Sequence, residues 1–172
     1  MGGAVEAPHK IEPKRLADYL AVLTQAVFQS GISWRVIEAK WDGFVAAFDG
    51  FDPNEVAELT PDDVDRLAED TRIVRNRRKI EATIQNAQTI LELDAQPGGF
   101  TGYLRSHGDF EALVADLRRN FRWLGDTGAY FFLYVVGEPV PSHEDWMKVH
   151  PLGSSRRKVS ATRESGRAPE SL

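Results

Sequence analysis

The chain has 172 residues, of which 42% are hydrophobic and 27% charged, with a formal net charge of −5 and no cysteine. This length suits one globular domain with a substantial core, and the lack of thiols excludes disulfides and thiolate metal sites. No apolar run approaches the roughly 20 residues that span a bilayer, and the start, MGGAVEAPHKIEP, has no apolar signal-peptide core. A cytoplasmic protein with no membrane partner is the expectation.

In chain order, residues 1–13 read as a flexible start. The stretch LADYLAVLTQAVF then places Leu16, Leu20, Leu23 and Val27 at helical spacing. Gly31 follows at the position after a helix end, where a left-handed backbone suits glycine. Ser33 is placed to cap a new helix that opens with Trp34. FDPNEV and TPDDVDRL each pair a capping residue, Asp52 or Thr60, with a proline at the first helical position. A longer helix follows the basic run RIVRNRRK, because Ile80, Ile84, Ala87 and Leu91 recur at i, i+4, i+7 and i+11.

AQPGGF interrupts the chain near Pro97, and two short helices are predicted over about 99–106 and 109–119. NFRWLGDTGAYFFLYVV reads as a turn leading into a strongly apolar, buried helix. No alternating strand pattern longer than a few residues and no internal repeat is present, so the fold class is all-α. The helical domain is expected over residues 14–150.

From Pro151 the tail PLGSSRRKVSATRESGRAPESL carries five Arg/Lys and two acids, a net +3, which leaves residues 1–150 at −8. Its Ser/Gly/Arg bias and scarcity of large apolar residues predict disorder over 151–172. An acidic body argues against indiscriminate nucleic-acid binding but leaves room for a local basic face. Arg72, Arg75, Arg77, Arg78 and Lys79 form one cluster, and Arg118, Arg119 and Arg122 a smaller one. The alternative is a solvated helix start balanced by nearby acids.

NFRWLGDTGAYFF is laid out as a helix-hairpin-helix. One helix ends near Arg119, a tight apolar turn carries Gly125, and the next helix begins around Asp126 with small Gly128 and Ala129 against its neighbour. Such a hairpin turns backbone amides outward at a helix start, a phosphate site that reads no sequence. An ordinary helix–helix corner is the competing reading.

Residues 51–87, FDPNEVAELTPDDVDRLAEDTRIVRNRRKIEATIQNA, resemble the corresponding stretch of the DNA-3-methyladenine glycosylase I family, within the helix-hairpin-helix glycosylase superfamily. The resemblance is carried by Phe51-Asp52-Pro53, Val56-Ala57, Asp63-Val64, Arg66-Leu67, Ile73, Arg75, Arg77, Lys79-Ile80, Ala82, Ile84 and Asn86-Ala87. Upstream GISW and downstream FRWLG extend it to about residues 16–147. It implies a compact helical glycosylase fold and excision of alkylated adenine from double-stranded DNA by base flipping, without a cofactor and as a monomer. A cationic alkylated base is a good leaving group and favours an electron-rich aromatic face.

Carried over residue by residue, the resemblance makes Trp34 the pocket tryptophan, although a tryptophan in a helix's first turn is otherwise a packing residue. Gln25 and Gln29, one turn apart, are expected to offer amides to the base edge. DNA contacts are expected from Arg75, Arg77, Lys79 and Arg122 and from the hairpin Leu124, Gly125, Asp126 and Thr127.

Three features depart from the family pattern. The pocket glutamate is replaced by Ala26, so no catalytic residue is assigned. The family zinc site of two Cys and two His is missing: His143 keeps one position, its partner is Met147, and His9, His107 and His150 show no replacing spacing. No metal is therefore expected. The aspartate used after the hairpin's second helix in the wider superfamily is replaced by Pro141, with Glu138, Glu144 and Asp145 as nearby acids. Arg72 also takes the place of a family glycine.

Three functions are open on this basis. A divergent glycosylase relies on the lability of the alkylated base, whereas a non-catalytic relative binds lesions without releasing them. The third possibility is a pocket reused for a free base or nucleoside.

Overall fold

The computed structural model describes residues 7–150; the predicted basic tail and the first six residues lie outside that range. Every regular element among the described residues is a helix. One compact unit spans Pro8–Pro139. It contains α1 (Leu16–Gln29), α2 (Trp34–Ala39), α3 (Trp41–Ala47), a 3-10 turn (Asp49–Phe51), α4 (Pro53–Ala57), α5 (Pro61–Leu67), α6 (Arg77–Asp94), α7 (Gly99–Leu104), α8 (Phe110–Asn120) and α9 (Asp126–Val135). A further helix, α10 (His143–Val149), lies in the second unit.

Short-range chemistry sets the helix boundaries. Gly31 adopts φ 79°, the left-handed conformation expected after α1. Ser33 Oγ accepts from the Arg35 amide at 3.2 Å and opens α2. Asp52 accepts from the Asn54 amide at 3.0 Å. Thr60 and Asp63 form a reciprocal capping box, with Thr60 N–H donating to Asp63 at 2.8 Å and Asp63 N–H to Thr60 Oγ1 at 3.2 Å. The bonds that the Thr60 amide, Arg66 and the Thr60 hydroxyl donate to it hold the Asp63 carboxyl down at a pKa of about 2.

The core lies between α1, α4, α6, α7 and α9, which pack pairwise as α1 with α6 and α9, α4 with α6, and α6 with α7. Leu20, Leu23, Val27 and Phe28 of α1 are fully buried, each contributing roughly 1.5–3 kcal/mol by removal from water. Beside them Phe28 meets Phe44 edge-on at 4.8 Å, and Trp41 stacks on Phe51 at 5.1 Å. This cluster holds the left-handed backbone of Asp49, Gly50 and Phe51 (φ 54°, 68° and 61°).

Part of the expected flexible start is anchored. Ile11 N–H donates to Val135 O at 2.8 Å, and the Lys10 ammonium lies 4.7 Å from the Tyr134 ring. Residues 10 and 11 are thus fastened to the end of α9, because that helix leaves a carbonyl free for them.

Candidate base pocket and hairpin

The last turn of α1, the first turn of α2 and the first turns of α9 meet at one corner. Trp34 stands at the start of α2, 39% exposed, with its ring 6.1 Å from that of Phe131 and tilted by 55°. Gln25 and Gln29 lie half-buried one turn apart on α1. Neither side-chain amide is hydrogen-bonded among the described residues, so both keep donors and acceptors for a ligand.

Ala26 is only 2% exposed. A Cβ built on Gly128 of α9 falls 3.7 Å from Ala26 Cβ and 3.0 Å from Leu124 Cδ1. Two small residues therefore let α1 and α9 approach closely at the position where the family resemblance places an acid. A carboxylate introduced there must displace this packing.

Lys79 departs from the sequence expectation. The basic run places it on the DNA face, yet it is 3% exposed. Its ammonium donates to Phe28 O at 3.1 Å and to Ser30 O at 2.6 Å. The physical reason lies at the end of α1, where unpaired carbonyls and the negative end of the helix dipole attract a cation. Burial pushes the Lys79 pKa down from its ordinary value. The same ammonium lies 5.9 Å from the ring of Trp123, so it stands between the corner and the hairpin.

The hairpin joins α8 to α9. Asn86 of α6, itself buried, holds its apex through both backbone groups of Arg122: Arg122 N–H donates to Asn86 Oδ1 at 2.8 Å, and Asn86 Nδ2 donates to Arg122 O at 3.3 Å. The Leu124 side chain is buried and packs on the start of α9, so what this residue can offer a phosphate is its backbone. Gly125 is the N-cap, and the first bond of the α9 ladder runs from Ala129 N–H to Gly125 O at 2.9 Å. The amides of Asp126, Thr127 and Gly128 stand at the helix start before that bond. The Asp126 carboxylate pairs with Arg118 at 2.8 Å.

The basic block divides in the same way. Arg72 is bound to Asp70 at 2.7 Å, which holds the Asp70 carboxyl below its usual range. Arg77 pairs with Asp65 at 2.6 Å, so its charge is partly spent within the protein. Arg75, Arg78 and Arg122 are exposed and enter no ion pair among the described residues. Sequence reasoning missed Asn86 and Trp123 as site residues. The only signals were an asparagine on the apolar side of a helix and an aromatic inside a turn.

Of the acids near the missing superfamily aspartate, Glu138 is buried and held by Arg105 through two bonds, of 3.2 and 3.1 Å. It follows the far end of α9, a helix about 15 Å long, and so lies away from the hairpin. Glu144 and Asp145 occupy the first turn of α10, where the Asp145 amide donates to Ser142. No group of three or more residues able to hold a metal ion occurs among the described residues. No helix among them is long and apolar enough to cross a membrane.

An all-helical body with a hairpin beside an aromatic corner defines the class as a helix-hairpin-helix glycosylase fold. The methyladenine glycosylase family model matches residues 14–121, and the chain belongs to that family. It is 28% identical over 130 residues to DNA-3-methyladenine glycosylase 1 of Escherichia coli strain K12, and 25% identical over 130 residues to DNA-3-methyladenine glycosylase of Haemophilus influenzae. Each match covers 63% of this chain and 70% of the relative. A crystal structure of a variant 3-methyladenine DNA glycosylase I in complex with 3-methyladenine superposes with a TM-score of 0.67 and 28% identity, covering 75% of this chain and 81% of that one.

Proposed function

We propose that the protein is a base-excision repair glycosylase that releases alkylated, 3-methyladenine-type bases from DNA, with the α1–α2–α9 corner as its base pocket. The observation that carries the reading is the pair of uncommitted amides, Gln25 and Gln29, beside the exposed ring of Trp34. The family membership supplies the reaction class.

In this reading the flipped base stacks on Trp34 and its edge is read by Gln25 and Gln29. The hairpin amides from Gly125 to Thr127 grip a phosphate, and Arg75 and Arg122 supply positive charge along the backbone. The C1′–N9 bond breaks with its electron pair moving to the base, which departs as neutral 3-methyladenine. Water adds to C1′ and gives up one proton to solvent. Ala26 provides neither a counter-charge nor a general base. The lability of the cationic base carries the step, and the protein contributes binding and orientation.

The test is release of 3-methyladenine from methylated DNA by wild type beside Trp34→Ala. Wild type is expected to release base above the buffer rate, with Trp34→Ala at least about tenfold slower. Intact DNA binding with no release would replace this reading by a lesion-binding relative without catalysis.

A further inference from the structure

We propose that Trp123 is a DNA-contacting residue whose indole packs on a nucleotide beside the phosphate-facing start of α9, positioning the strand while the neighbouring corner takes the base. The inference rests on the glycosylase function proposed for the corner and extends it to a residue outside the base pocket.

Trp123 combines two unfavourable features. Its φ of 59° lies in the left-handed region, which a bulky side chain rarely adopts. It is also 45% exposed, more than any other aromatic residue described. A tryptophan in a turn ordinarily avoids such exposure by turning inward. In this hairpin the neighbours prevent it. Arg122 is held on both backbone groups by Asn86, and Leu124 is buried against α9. The ring is therefore presented outward from a backbone fixed on either side.

A purely internal role for the ring is the competing account, since its centroid lies 5.9 Å from the Lys79 ammonium. Two of that ammonium's three donors go to Phe28 O and Ser30 O, so backbone carbonyls and not the indole are its principal partners. The surroundings fit a polyanionic strand. Arg122, next in sequence, enters no ion pair among the described residues, and the one acid at the start of α9, Asp126, is neutralised by Arg118. An exposed π-face beside an unpaired cation is the arrangement that stacks on a nucleotide without reading its identity.

The experiment compares binding of a short duplex holding a stable abasic-site analogue by wild type, Trp123→Ala, Trp123→Phe and Arg122→Ala across a range of salt concentrations. Trp123→Ala is expected to weaken binding about tenfold, the equivalent of about 1.4 kcal/mol, with an unchanged salt slope. Trp123→Phe should stay within about threefold of wild type, since a benzene ring still stacks. Arg122→Ala should lower the salt slope by about one. Unchanged affinity in Trp123→Ala, or a loss accompanied by the slope change of Arg122→Ala, overturns the inference. Should Trp123→Ala fail to fold, DNA-induced quenching of tryptophan fluorescence decides: it must fall in Trp123→Phe, and quenching equal to wild type overturns the inference. Failure of wild type to bind DNA would instead strike the glycosylase function itself. Binding and base release by wild type that persist unchanged in Trp123→Ala remove only the strand contact of Trp123.

Discussion

At the junction of α7 and α8, Asp116 accepts from the Tyr103 hydroxyl at 2.6 Å, from Arg119 at 2.7 Å and from Asn120 at 3.1 Å, and it lies 3.2 Å from His107 Nε2. At the junction of α1 and α2, the side-chain amides of Gln25 and Gln29 make no hydrogen bond among the described residues. Both regions are polar, partly buried and placed between short helices. In the first, burial raises the Asp116 pKa, but the bonds from Tyr103, Arg119 and His107 outweigh it and leave the carboxyl below its usual range. Burial and the same carboxylate push the Tyr103 hydroxyl well above its ordinary value. Polar groups that satisfy one another hold helices together. Polar groups left unsatisfied beside an exposed tryptophan are available to a ligand.

The sharpest test of that contrast is Asp116→Ala. Loss of a shared acceptor strands the Tyr103 hydroxyl and is expected to cost about 2–3 kcal/mol in urea unfolding, with base release per folded molecule unchanged. A cost near zero would mean that the closed network is not what joins α7 to α8. Next comes Asn86→Ala, which frees the hairpin apex: about 1–2 kcal/mol of stability and a parallel fall in DNA affinity are expected from equilibrium unfolding and binding titrations. Ala26→Glu, which restores an acid at the corner, should cost about 1–3 kcal/mol through overpacking against Gly128 and Leu124. Thermal denaturation checks this, and a stable variant would show that the corner has room to spare.

The opposite outcome is expected on the open side. Gln25→Ala and Gln29→Ala should each change stability by less than about 0.5 kcal/mol while slowing base release about threefold or more. A large stability loss with unchanged release would assign the glutamines to the fold. The smallest effect is that of pH. Folding depresses the carboxyl pKa of Asp63, from 3.8 to about 2, and lowers that of Asp116. The stability they contribute is present above the unfolded value and is lost as pH falls through it towards the folded one. Urea midpoints measured between neutral pH and about pH 2 should therefore drop on the acid side, less steeply in Asp63→Asn.

Much of this molecule is written in local sequence. The helix starts at Ser33, Asp52 and Thr60 depend on a side chain and an amide two or three residues away, so spacing alone locates them. The same holds for α6, whose apolar positions recur with the helical period, and for the hairpin, whose Gly125 opens α9 as anticipated. The motif resemblance over residues 51–87 likewise agrees with the family match over residues 14–121.

Only the tertiary structure decided which groups of the basic block remain free. Lys79 and Arg75 look alike in sequence. Lys79 is drawn inward by carbonyls 49 and 51 residues away, whereas Arg75 is left at the surface. Arg77 finds its acid 12 residues upstream, and Asn86 holds a turn 36 residues downstream. Of the two residues flanking Trp123, Arg122 is fixed by such a distant contact and Leu124 by the adjoining start of α9. Caps and periodicity are interactions within a turn or two of chain, so residue order determines them. Burial and pairing depend on which distant segment arrives alongside, and that is settled only when the helices pack.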